Sequence, residues 1–312
     1  MGTEHEPARR TAPTAPPPRP ASERPAAAGL AEVLHHADTA TIARTVSGLQ
    51  RRHGNRAVRA AISRAPTGLL DTTVVDRFVG IAKTLATNWD KLATPEARAK
   101  HLTDAALAEL KTLGVPAYAV SVKDLGNNAG SFSFPTWTMN MGTAPFSGPL
   151  PGKAALADLA DTVLHESRHC EQWFRMARSR AGAGKSSADI ATAMGIPPRI
   201  ADEAVKQKLT AAGTELTEAE GWWKSVYGAD RVARNATLTD VDVKATEYKA
   251  AKAKWDQVKA KATSTKEEKD AAKKGHDDAL AAFQAAHAKY KALPEEADAW
   301  KVGAAVTAEM MK

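Results

Sequence analysis

The chain has 312 residues, a net charge of +7 and a single cysteine, Cys170. That length holds one or two domains with a substantial core, and one cysteine excludes both a disulfide framework and a zinc ribbon. The start, MGTEHEPARRTAPTAPPPRP, lacks the apolar stretch of a secretory signal, and no run reaches the roughly 18 apolar residues of a membrane span, so the expectation is a chain that is cytoplasmic on synthesis and does not cross a membrane.

Residues 1–28 are rich in Pro, Ala and Arg and carry seven of the 17 prolines, the composition of a disordered arm. Residues 29–64 form a short helical segment on the pattern of Ile42, Val46, Leu49, Val58 and Ile62, broken at His53-Gly54-Asn55. Residues 1–64 hold ten Arg, no Lys and five acids, a net +5, against +2 for the remainder. Such an arm suits an acidic protein surface, and the absence of interleaved aromatics argues against nucleic acid.

Two amphipathic helices are predicted over 71–90 and 95–113, the second with Thr94 as N-cap and Pro95 at its first position. Alternation at Tyr118, Val120 and Val122 predicts a strand. Residues 126–130 predict a turn, and Ser131–Met141 a second strand that Pro135 confines to an edge or a bulge. Further helices are predicted over 187–194, stopped by Gly195 and Pro197, and over 201–213 and 216–227. Residues 240–291 read as an antiparallel helical hairpin with a capping box at Thr265 and Glu268. Ala183-Gly184-Lys185-Ser186 is not a phosphate loop, because Ser179 stands where its first glycine belongs.

His165-Glu166-Ser167-Arg168-His169 carries the chemistry. It lies in an apolar-periodic run free of Pro and Gly from 153 to 181, so one helix bears both histidines. Residues i and i+4 share a helix face about 6 Å apart, and two imidazoles there reach one zinc ion. Glu166 is placed as the general base that takes a proton from the attacking water. The bland alternative is two polar residues on a helix without metal. Cys170, beside His169, is more simply a small buried residue than a ligand.

Two histidines leave a third ligand to find. Arg175 stands where a third histidine of an extended motif would fall. Two acidic segments remain, Glu218-Ala219-Glu220 and Glu295-Glu296, and spacing alone favours Glu218. Tyr227 and Tyr290 are candidates for stabilising an oxyanion, with packed aromatics as the plainer reading.

Leu49-Gln50-Arg51-Arg52-His53-Gly54-Asn55-Arg56-Ala57-Val58 resembles a segment of actinobacterial proteins that accompany the metallopeptidase-like core domain of extracellular contractile injection systems. The HESRHCEQ run, with Gln172 in the matching place, is similar to that domain's motif helix. Residues 131–312 look like a metallopeptidase-like domain of bacterial toxins and effectors, through Phe132-x-Phe134-Pro135, the motif helix, Glu218-Ala219-x-x-Trp222 and Tyr290-x-x-Leu293-Pro294-Glu295-Glu296. In related zinc peptidases the glutamate ligand follows a proline in this way. The resemblance thus implies Glu296 as the third ligand, with Glu218 as alternate, and residues 240–289 as an insertion. The family has an apolar residue between its histidines. Ser167-Arg168 departs from that, which places Arg168 towards solvent or the substrate.

The resulting expectation is an α+β, mainly helical, zincin-like domain (65–239 plus 290–312) with a small antiparallel sheet and an inserted hairpin. It acts as a gluzincin-type peptidase with Zn2+ on His165, His169 and Glu296 and Glu166 as base. Its partners are a peptide or protein substrate and, through the N-terminal arm, an injection particle that delivers the chain as an effector toxin. The rival is a non-catalytic adaptor that keeps the fold.

Overall fold

The chain divides into two units, Met1–Arg64 and Ala65–Lys312. The computed structural model describes residues 68–126 and 128–312. The expected arm, the 29–64 segment and the Leu49–Val58 resemblance lie outside the described residues, as does Asn127 of the 126–130 turn.

The two leading helices form where expected. Helix α1 (Thr72–Asn88) starts at Asp71, whose carboxylate accepts the Thr73 N–H at 2.9 Å, and it buries Val74, Val75, Phe78, Ala82 and Leu85. Helix α2 (Pro95–Thr112) starts at Thr94, whose hydroxyl accepts the Ala97 N–H at 3.2 Å. These caps meet backbone donors that a helix start leaves without partners.

The sheet differs from the expected one in two respects. Strands β1 (Ala119–Lys123), β2 (Gly130–Ser133) and β3 (Thr138–Gly142) lie in the order β1-β3-β2. β2 pairs antiparallel with β3, but β1 pairs with β3 in parallel, so the sheet is mixed rather than antiparallel. The predicted strand 131–141 is in fact a hairpin. Phe134-Pro135-Thr136-Trp137 turns the chain, so Pro135 sits in a turn where no ladder bond is asked of it. Trp137 closes the turn at φ 53°, a conformation that costs a side chain roughly 1–2 kcal/mol. Complete burial of its indole and a 3.1 Å bond from Nε1 to the Pro116 carbonyl offset this.

Helix α3 (Lys153–Gly182) spans 30 residues, about 45 Å at 1.5 Å per residue. From Val163 to Ala177 nearly every residue is buried, which marks it as the central helix of the domain. Helices α4 (Ser187–Met194), α5 (Pro198–Lys206) and α6 (Thr214–Val226) pack around its second half. Helix α5 replaces the predicted 201–213: Pro198 opens it, and residues 207–213 are not helical.

Helices α7 (Arg231–Ala260) and α8 (Lys266–Lys291) form the hairpin, which begins nine residues before the expected boundary at 240. The capping box at Thr265 and Glu268 starts α8. α7 contains no buried residue, so most of the hairpin's surface meets solvent. Helix α9 (Pro294–Met311) returns the chain along α3. None of the described helices is long and apolar enough to cross a membrane.

The root of the hairpin is pinned by charge. Arg234 Nε donates to Glu295 Oε1 at 2.5 Å, and the Glu295 side chain is wholly buried. Removing one member of a buried pair leaves the other uncompensated, at about 3–5 kcal/mol. Arg234→Ala is therefore expected to lower stability by that amount in denaturant titration. Arg234→Met combined with Glu295→Leu should recover most of the loss.

Candidate metal centre

Two helices distant in sequence supply the site. α3 presents His165 and His169 one turn apart, with ring centroids 4.9 Å apart. α9 presents Glu296 from its first turn, where the positive end of the helix dipole favours a carboxylate. Glu296 Oε2 lies 3.5 Å from His169 Nε2 and 3.9 Å from His165 Nε2. One ligand atom from each of the three falls within 4.8 Å of the others. Ligands about 2.0–2.1 Å from a tetrahedral ion stand about 3.3 Å apart, so small side-chain rotations close the set.

The decisive observation is Glu296 Oε2. It is buried and has no hydrogen-bond partner. An orphaned buried carboxylate oxygen is costly, and here it faces two imidazole nitrogens. A divalent cation relieves that deficit, so the residues fit a metal ion.

The electrostatics agree. Burial disfavours charge on His165 and, with His169 alongside, lowers its pKa to about 4. His169 resists burial because the Glu296 carboxylate raises its pKa to about 9. Burial also opposes ionisation of Glu296, but His169 and Tyr290 beside it hold it below the usual carboxylate range. Burial raises Glu166, opposed by His169, raised further by Glu296 and opposed again by a Phe132 N–H that donates to its Oε2 at 2.9 Å. Strand β2 thus holds the Glu166 carboxylate by its backbone.

A further set of contacts orients the ligands. Gln172 Nε2 donates to the Glu295 carbonyl and to Asp298 Oδ2, both at 2.8 Å. Its Oε1 must then accept from His169 Nδ1, also at 2.8 Å, which leaves Nε2 free as a ligand. Arg168 Nε holds Asp298 Oδ2 at 2.7 Å, and Arg168 also reaches Glu171 at 2.6 Å. Gln172→Ala is expected to weaken metal binding by about 10–100-fold while leaving all three ligands in place, measured by competition with a chromophoric chelator.

Arg168 is accordingly corrected. It is 1% exposed and faces neither solvent nor substrate. Glu171, which it pairs with, also binds Arg175 at 2.5 Å and accepts the Leu69 N–H at 3.0 Å. Gly68, at φ +152°, lets the backbone pass there: a Cβ would come within 2.5 Å of Arg175 and 2.6 Å of Arg168. Glu218, the alternate ligand, is paired with Arg175 at 3.0 Å and stands outside the cluster. Cys170 is buried in the core, which pushes its thiol pKa up, and does not join the ligands.

The two tyrosines separate. The Tyr227 hydroxyl accepts from Trp173 Nε1 and donates to the Met194 carbonyl, each at 2.9 Å. Tyr290 instead lines a cleft of about 430 Å3 together with His165, Glu166 and Trp300. Gln172, Asp298 and Trp300 escaped the sequence reading as site residues. Only the spacing of Gln172 after His169 signalled any of them.

No family model matches this chain, no curated protein matches it, and no solved structure matches its fold. The functional reading therefore rests on the geometry just described.

Proposed function

We propose that the chain is a zinc-dependent peptidase of the HExxH type, in which His165, His169 and Glu296 hold the ion. The unpartnered Glu296 Oε2 facing both imidazoles supports this most directly. The donor set, two imidazoles and one carboxylate, is that of catalytic rather than closed structural zinc sites, since it leaves a position open. When bound there, zinc supplies Lewis acidity toward a substrate carbonyl.

The chain's own residues supply the proton transfers. Glu166 takes a proton from the attacking water and returns it to the departing amine. Burial raises its pKa, which makes the carboxylate a stronger base. The Phe132 N–H fixes which way the carboxylate points. Tyr290 lines the same cleft, and in this reading its hydroxyl turns from Glu296 to donate to the oxyanion that develops on the carbonyl. β2 is an edge of the sheet beside α3, so an extended peptide can pair with it by main-chain hydrogen bonds.

The test is reconstitution of the full chain. It should bind about one equivalent of zinc, cleave an unstructured protein, and lose that activity to a chelator. Zinc below about a tenth of an equivalent after reconstitution sinks the reading. Delivery as an injection-particle effector is a separate proposal, supported by the Leu49–Val58 resemblance.

A further inference from the structure

The charge lining the cleft runs against that of the protein as a whole. The chain is net +7. Yet the charged side chains that line the cleft besides the histidine are Asp158, Asp161 and Glu166, and the lining includes no Lys or Arg. Asp161 and Asp158 lie on α3 one and two turns before the motif, on the face that carries His165. A substrate group entering beside the metal centre therefore meets carboxylates.

Asp161 is built into this position. Its Oδ2 accepts a hydrogen bond from the Thr307 hydroxyl at 3.2 Å. Its Oδ1 lies so close to α9 that a Cβ on Gly303 would come 2.0 Å from it. Glycine is disfavoured relative to alanine inside a helix, and here it makes room for a carboxylate. The cation near this wall is Lys291, whose Nζ sits 3.7 Å from the Trp300 ring centroid. Trp300 also lines the cleft, so its indole already carries one ammonium.

We infer that the cleft is a subsite for a cationic group of the substrate next to the scissile bond, with Asp161 as the specificity-determining residue. The inference rests on the peptidase reading for its substrate class. A lysine or arginine side chain and a free peptide N-terminus share the required chemistry.

Binding without turnover tests it. The full chain carrying Glu166→Gln, zinc-loaded and metal-free, is titrated calorimetrically with short Gly/Ala peptides. These carry a single arginine or its neutral isostere citrulline, each with a free or acetylated N-terminus. The arginine peptide is expected to bind on the order of tenfold more tightly than its citrulline twin, a preference between those of exposed and buried ion pairs. Adding Asp161→Asn, or Gly303→Ala, which displaces the carboxylate, should remove most of that preference. A preference that follows the free N-terminus instead assigns the site to the α-amine. Equal binding of arginine, citrulline, free and acetylated peptides by the starting protein overturns the inference, and so does a preference that survives Asp161→Asn. These outcomes are independent of hydrolysis. If the zinc-loaded parent cleaves nothing yet prefers arginine, the peptidase reading fails and the cationic subsite stands.

Discussion

Glu296→Gln is expected to weaken zinc binding several hundredfold or more. A site of this kind is worth on the order of 10 kcal/mol, so one of three protein ligands carries roughly a third of it. The amide keeps the volume and the Tyr290 contact but removes the charge that faces His165 and His169. Glu218→Gln is the control. Glu218 belongs to Arg175, and its loss should leave zinc affinity within a few fold. If Glu218→Gln strips the metal and Glu296→Gln does not, the ligand assignment is wrong. The same site fixes a pH dependence. His169, raised by Glu296 to about 9, holds a proton at neutral pH in the metal-free chain, and an incoming ion must displace it. Apparent zinc affinity should therefore climb about tenfold per pH unit from neutrality and level off above about pH 9.

Glu166→Gln is expected to lower the rate of peptide hydrolysis by about 10²–10⁴-fold, the range for a general base, with zinc stoichiometry unchanged. The glutamine oxygen can still accept the Phe132 N–H, so the side chain keeps its place and loses only its basicity. The loss should appear in kcat rather than KM, because the proton moves only in the transition state. Hydrolysis that survives this change, with zinc bound, means that Glu166 is not the base; an adaptor predicts no hydrolysis by either protein.

How much of this was legible in the sequence depends on the range of the interaction. His165 and His169 declare themselves because helical periodicity is local. Glu296 does not. Two acidic segments flanked by aromatics compete, spacing alone favours Glu218, and only the resemblance points to Glu296. Arg168 was placed outward because its partner Asp298 lies 130 residues away, and nothing near position 168 shows that the charge is neutralised in the interior. The β2–β3 hairpin was hidden by Trp137, since a bulky residue at positive φ is not a turn signal. The expected start at 201 passes over Pro198, although a proline suits the first position of a helix. The hairpin boundary at 240 followed composition, while the helix itself begins at Arg231.

The interval between the two halves of the metal centre has a consequence for biosynthesis. His169 and Glu296 are separated by 127 residues. A ribosome adding about 5–20 residues per second takes roughly 6–25 s to cross that interval. Throughout it, the emerging chain carries HESRH with no third ligand and with Gln172 lacking its acceptors on α9. The hairpin must also be made before α9 can lie along α3. On the zinc reading all three ligands can hold an ion only once α9 has been made, and a truncation before Pro294 yields a polypeptide that displays the motif without a completed centre.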